Sequence, residues 1–192
     1  MFCYGARCTN SIEIPIHIRP YHIESIDFHC TVYFVQFCIR EGKYLTFSLA
    51  EEEYGIGILK VKEIIGMMTI TSIPQTPGYV KGVINLRGKI ISVIDLRLKF
   101  AMESIAYTER TCIIVVEIRG GDRKIQMGIV VDSVSEVLNI KPGEIADTPT
   151  FGARLDTDYI LGMAKMAGGV KILLDIDRVL SDRDFQDVAG AA

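Results

Sequence analysis

Tyr54-Gly55-Ile56-Gly57-Ile58-Leu59-Lys60-Val61-Lys62-Glu63-Ile64 is written again, 73 residues further on, as Met127-Gly128-Ile129-Val130-Val131-Asp132-Ser133-Val134-Ser135-Glu136-Val137. Glycine meets glycine, Val61 meets Val134 and Glu63 meets Glu136. A second pair of blocks follows at an offset of 80: Tyr79-Val80-Lys81-Gly82 against Tyr159-Ile160-Leu161-Gly162. At that offset Gly88 meets Gly168, Ile90 to Ile94 meets Val170 to Leu174, and Asp95-Leu96 meets Asp175-Ile176. The change of offset is one loop insertion. Ordered matches of this kind predict a tandem duplication, with copy one over about 43–100 and copy two over about 111–181.

Each copy reads as strand. Leu45, Phe47 and Leu49 alternate with Thr46 and Ser48, the period of a half-buried strand. Residues 89–94 and 111–116 are richer in β-branched side chains and suit burial on both faces. Gly120-Gly121-Asp122 marks a hairpin between strands 111–118 and 123–131, and Gly168-Gly169 marks another before strand 170–174. Asp95 and Asp175 are placed to cap short helices, Leu96 to Phe100 and Ile176 to Leu180. The expected fold is all-β: two tandem, pseudo-twofold-related five-stranded barrels with a few short helices. Closing each sheet removes exposed edges. The groove between the barrels is the expected binding site.

The chain has 192 residues, 49% apolar and 23% charged, which excludes global disorder. A net charge of −3 argues against nucleic acid as a partner, since phosphate binding needs a basic face. The longest strongly apolar stretch without a charge, Thr31 to Ile39, is too short for the roughly 20 residues of a membrane-spanning helix. Direct membrane insertion is not expected, and the cytoplasm is the expected location.

Composition breaks near residue 40. Cys3, Cys8, Cys30 and Cys38 precede it, with His17, His22 and His29, whereas the first lysine is Lys43. Metal-ligand spacing is missing from this cluster, so no metal site is expected there. An extra strand or arm is one reading of residues 1–40. A leader of uncertain order, translated from upstream of the natural start, is the preferred one. The domain is expected over 41–185, with a tail over 186–192.

From residue 41 onward there is no histidine, and the one cysteine, Cys112, lies in an apolar strand pattern. Phosphate-loop, dinucleotide and serine-nucleophile motifs are missing. No catalytic residue and no cofactor is assigned; Asp175-Ile176-Asp177 reads as a helix cap. The two copies differ informatively between their matched glycines. Copy one reads Val83-Ile84-Asn85-Leu86-Arg87, and copy two reads Met163-Ala164-Lys165-Met166-Ala167. Positions alike in both copies serve the fold, so Arg87, opposite an alanine, is the candidate for function. Asn85, two residues earlier, points the same way if the strand is extended. Arginine suits such a site because its planar fork recognises carboxylates and amides.

These blocks carry a resemblance. Glu51 to Ile64, Gly82 to Arg97, Gly128 to Val137 and Asp158 to Gly162 resemble the CheW family in its own order, over about 43–181. The resemblance implies a non-enzymatic adaptor made of two SH3-like barrels. Such an adaptor couples the cytoplasmic tips of chemoreceptors (methyl-accepting chemotaxis proteins) to the regulatory domain of the CheA histidine kinase. It is recruited from the cytoplasm to membrane-associated receptor arrays. The resemblance places Arg87, Glu63, Asn85 and Val61 at the receptor site, and Phe151 at the ring contact with the kinase. Ile65 departs from relatives that carry arginine there, which points to a different receptor class. Two alternatives remain at this level: a same-fold adaptor in a non-chemotactic receptor-kinase pathway, and a metal or redox sensor using the N-terminal Cys/His cluster.

Overall fold

A computed structural model describes residues 41–120, 123–147, 158–166 and 169–180. The expected leader, the tail and Phe151 lie outside the described residues. Eleven strands run in the order β1 (Gly42–Leu49), β2 (Glu52–Gly57), β3 (Val61–Gly66), β4 (Val80–Leu86), β5 (Lys89–Asp95), β6 (Cys112–Gly120), β7 (Arg123–Val131), β8 (Ser133–Ile140), β9 (Ile145–Ala146), β10 (Ile160–Met166) and β11 (Gly169–Leu174). Helical pieces are short: a 3-10 turn at Ile58–Lys60, another at Pro142–Glu144, and single-turn α-helices at Leu96–Lys99 and Ile176–Val179. Both α-helices are capped as expected. Asp95 accepts from the amides of Arg97 and Leu98, and Asp175 accepts from that of Asp177.

The duplication survives in the sheets, but the copies trade strands. One sheet has the order β8-β1-β2-β11-β10-β9, the other β3-β6-β7-β5-β4. Each sheet therefore combines the first two strands of one copy (β1 and β2, or β6 and β7) with the remaining strands of the other. The pairings correspond one for one: β1 lies antiparallel to β2 and β8 as β6 does to β7 and β3, and β2 lies parallel to β11 as β7 does to β5. The expected side-by-side units of one copy each are thus replaced by two sheets that each mix the copies, the first (six-stranded) and the second (five-stranded) barrel. The 3-10 turn at Ile58–Lys60 carries the chain from the first sheet to the second.

Closure of each sheet explains the matched glycines. After β3, at one edge, the chain returns to the opposite edge, where Thr71 and Val83 exchange two backbone hydrogen bonds of 2.9 Å. Gly82 sits under this crossing with φ +134°, and a Cβ there would lie 2.0 Å from the Thr71 carbonyl oxygen. In the other sheet β9 crosses β10 the same way, over Gly162. Only hydrogen at these two positions lets backbone cross backbone.

The alternating side chains build three cores. Ile84, Ile91, Val93, Ile113, Val115 and Val130 fill the second barrel (β3-β6-β7-β5-β4). Tyr44, Ile140, Ala164 and Leu173 fill the first. The largest cluster lies between the sheets and includes Phe47, Leu49, Ile56, Ile94, Ile114, Ile129 and Leu174. β6 feeds two clusters, Ile113 and Val115 into its barrel and Ile114 and Val116 into the interface, as its β-branched run predicts. Each such side chain contributes about 1.5–3 kcal/mol on burial. The expected groove between the barrels is therefore largely occupied by core. Arg97 ties the copies together at its rim, with Nε 2.7 Å and Nη2 2.7 Å from the Asp132 carboxylate, which also accepts from the Ala50 amide.

Candidate functional site

The turn joining β4 to β5 is made of two residues, Arg87 and Gly88, with φ of 51° and 84°. Two positive φ values are what such short hairpin loops demand, and Asn-Gly satisfies them most readily. Arginine in the left-handed region costs on the order of 1 kcal/mol. Asn85 compensates in part: its Oδ1 accepts from the Gly88 amide at 2.8 Å. Arg87 thus leaves the strand direction, and the expectation that Asn85 and Arg87 point the same way gives way to a turn that Asn85 shapes.

From this turn Arg87 reaches across the barrel mouth. Its Nη2 lies 2.5 Å from Glu63 Oε1 on β3, although β3 and β4 are the two opposite edges of the sheet. The side chain remains 77% exposed, so the ion pair leaves most of the guanidinium free for a partner. A groove of about 170 Å³ lies here, lined by Lys62, Glu63, Leu86, Arg87, Lys89, Ile91, Val115 and Gln126.

Of the four expected receptor-site residues, the structure brings Arg87, Glu63 and Asn85 together. Val61 is set apart. A bulge between Val61 and Glu63 shifts the register of β3 on β6, and Val61 packs against the central core instead of the mouth.

Leu59 was missed by sequence reasoning. It stands in the 3-10 turn at 91% exposure, between a groove of about 500 Å³ and one of about 180 Å³. Lys60 and Arg119 line both grooves, and Lys60 is ion-paired with Asp177. Inside the apolar run Ile56 to Val61, nothing local says that one leucine leaves the core. Its absence from the second copy, which has Asp132 at that place, was the available signal. Nearby, the ammonium groups of Lys124 and Lys62 hold the Glu117 carboxyl below the usual carboxylate range. Cys112 is half-buried, and burial pushes its thiol up, away from reactivity.

Among the described residues no group of His, Cys, Asp and Glu is arranged to hold a metal ion, and no helix is long and apolar enough to cross a membrane. Two fused barrels that present a charged mouth and a bare leucine have the build of a binding scaffold. Comparison with known proteins identifies which one. The CheW-like domain family model matches residues 43–184. The chain is 43% identical over 150 residues to chemotaxis protein CheW of Klebsiella aerogenes, covering 78% of this chain and 88% of that one. It is 32% identical over 157 residues to chemotaxis protein CheW of Treponema pallidum, covering 79% and 89%. The crystal structure of the scaffolding protein TtCheW from Thermoanaerobacter tengcongensis superposes with a TM-score of 0.65 at 38% identity, covering 73% of this chain and 93% of that chain. The chain belongs to the CheW-like family and is a non-catalytic chemotaxis coupling scaffold.

Proposed function

We propose that this chain couples the cytoplasmic tip of chemoreceptors to the regulatory domain of the CheA histidine kinase, at membrane-associated receptor arrays. The mouth of the second barrel takes the receptor, with Arg87 as its polar anchor and Glu63 as the residue that aims it. Asn85 contributes by shaping the turn, and Val61 by supporting β3 from beneath. A receptor helical hairpin would lay an apolar side chain against Leu86, which lines this groove, while Arg87 reaches a polar group on it.

The observation that carries this reading is Arg87 itself. A non-glycine residue is held at φ 51°, highly exposed, at a position where the other copy has alanine. Strain kept without a gain in packing is expected where a side chain meets a partner. Leu59, in the 3-10 turn beside Arg119, is the proposed anchor for the kinase domain: at 91% exposure it holds apolar surface that a partner would bury. Phe151 is proposed as a further ring contact, on the family resemblance.

A binding titration of the full chain against a receptor-tip fragment and a CheA regulatory domain tests both faces. Arg87→Glu is expected to lose only the receptor, and Leu59→Asp only the kinase domain. If the folded wild type bound neither, the coupling role would be lost; if both variants lost both partners equally, the assignment of separate faces would be wrong.

A further inference from the structure

The two barrel ends that the duplication makes equivalent carry opposite charge. At the end of the second barrel, where the β4–β5 and β6–β7 hairpins turn, Lys89, Arg119 and Arg123 are exposed. Their side chains have no carboxylate partner among the described residues, although Asp177 accepts from the Arg119 amide at 3.0 Å and the sequence between Arg119 and Arg123 carries Asp122. Arg119 stands directly opposite Lys124 across β6 and β7. Like charges in that relation destabilise a sheet, and Glu117 offsets only part of the cost, being shared by Lys124 and Lys62.

The first barrel reverses this. Glu51 occupies the place of Lys124, and Glu53 that of Gln126. Glu51, Glu52 and Glu136 are exposed there. Glu53 is ion-paired with Lys171 on β11, 9% exposed, and accepts from the Ser135 hydroxyl at 3.1 Å. Lys171 in turn replaces Ile91 of the other mouth. A basic end on a chain of net charge −3 is a local arrangement, not bulk composition.

We infer that the basic end of the second barrel is an electrostatic rim for an acidic surface on a helical hairpin, and that the acidic end of the first barrel repels that same surface. One docking end per chain results, although the fold offers two. The inference rests on the proposed receptor reading for the identity of the hairpin. It adds that carboxylates flank the hairpin's apolar strip and speed its arrival. Charge of this kind acts mainly on association rate and is screened by salt.

Two measurements on the full chain test it. The first is the association rate with a receptor-tip fragment at low and at high salt, for wild type, Lys89→Glu/Arg123→Glu and Glu51→Lys/Glu52→Lys. Salt and the Lys89→Glu/Arg123→Glu pair are each expected to slow association about tenfold with little change in dissociation; Glu51→Lys/Glu52→Lys is expected not to slow it. The second is NMR titration with a hexaglutamate peptide, which reads the rim independently of the receptor. Amides of Lys89, Arg119 and Arg123 should shift and those of Glu51 and Glu136 should not. Shifts at the rim with no tip binding would leave the rim standing and remove the receptor reading. Salt-independent association, or peptide shifts at neither end, would overturn the inference. So would a change in sedimentation alone in the Lys89→Glu/Arg123→Glu variant, which would assign the basic end to a second copy of the chain.

Discussion

Arg87 and Glu63 close the mouth of the second barrel: they stand 24 residues apart in the chain, on opposite edges of one sheet, and their side chains meet at 2.5 Å. An ion pair this exposed adds about 0–1 kcal/mol to stability. Arg87→Glu is therefore expected to move the urea midpoint little while receptor binding is lost. The charge swap, Arg87→Glu with Glu63→Arg, restores the pair but not the cation on the turn. Binding is expected to stay lost in the swap, by calorimetric titration. Full recovery would mean that the pair, rather than Arg87, is what the partner needs.

Gly82→Ala should be among the most damaging single-methyl additions in the chain. The new Cβ would meet the Thr71 backbone at 2.0 Å, and neither backbone can give way without opening the barrel. A loss of about 3 kcal/mol or more is expected in urea unfolding. Gly162→Ala should cost less, because its Cβ would meet the Ile145 Cγ2 methyl at 2.8 Å, a side-chain tip that can turn aside, and the Ala146 carbonyl oxygen only at 3.0 Å. Equal costs at the two sites would contradict this account of the crossings.

Tyr107 should titrate late. Burial, and then the nearby Asp95 carboxylate that accepts its hydroxyl at 3.2 Å, push the phenol up to about 12. The folded state holds this proton more tightly than the unfolded chain, whose phenols titrate near 10. Its contribution to stability is complete below pH 10 and is lost as pH rises toward about 12. Burial pushes the Tyr54 phenol up as well, so phenolate absorbance should show late-titrating tyrosine, of which the part at about pH 12 is absent in Tyr107→Phe, and the variant's stability should fall less steeply over that window. A wild-type titration identical to that of Tyr107→Phe would remove the assignment.

Phe151→Ser is expected to leave receptor binding intact and to weaken the cooperativity of kinase control in reconstituted arrays. The coupling would run through a packed contact in the ring, where small shifts change output. Unchanged cooperativity would take Phe151 out of the kinase-contact assignment.

Much of the architecture was legible because it is locally encoded. Asp95 and Asp175 cap their helices through amides two or three residues away. The β6 and β7 strands, Cys112–Gly120 and Arg123–Val131, pair as far as Gly120 and Arg123, as the expected hairpin requires. At the site, comparing the copies singled out Arg87 with Asn85, and the CheW resemblance added Glu63 and Val61. That Arg87 touches Glu63 was not readable, since the two meet only through barrel closure. Nor was the separation of Val61 from the mouth, which follows from a single bulge. Leu59 escaped because an apolar residue in an apolar run reads as core.

The sequence by itself determined the duplication, the strand content, the caps and the position of Arg87, where the second copy has alanine. These are properties of short stretches: alternation, β-branching, and side chains bonding to adjacent amides. Tertiary structure alone decided that each barrel mixes the copies, that core fills the space between them, and that Gly82 and Gly162 lie under a crossing strand. A strand's alternation says which of its faces is buried but not which strand lies beside it. That choice is made by long-range pairing, where two related copies offer edges of the same pattern and the connection at Ile58–Lys60 directs β3 onto β6.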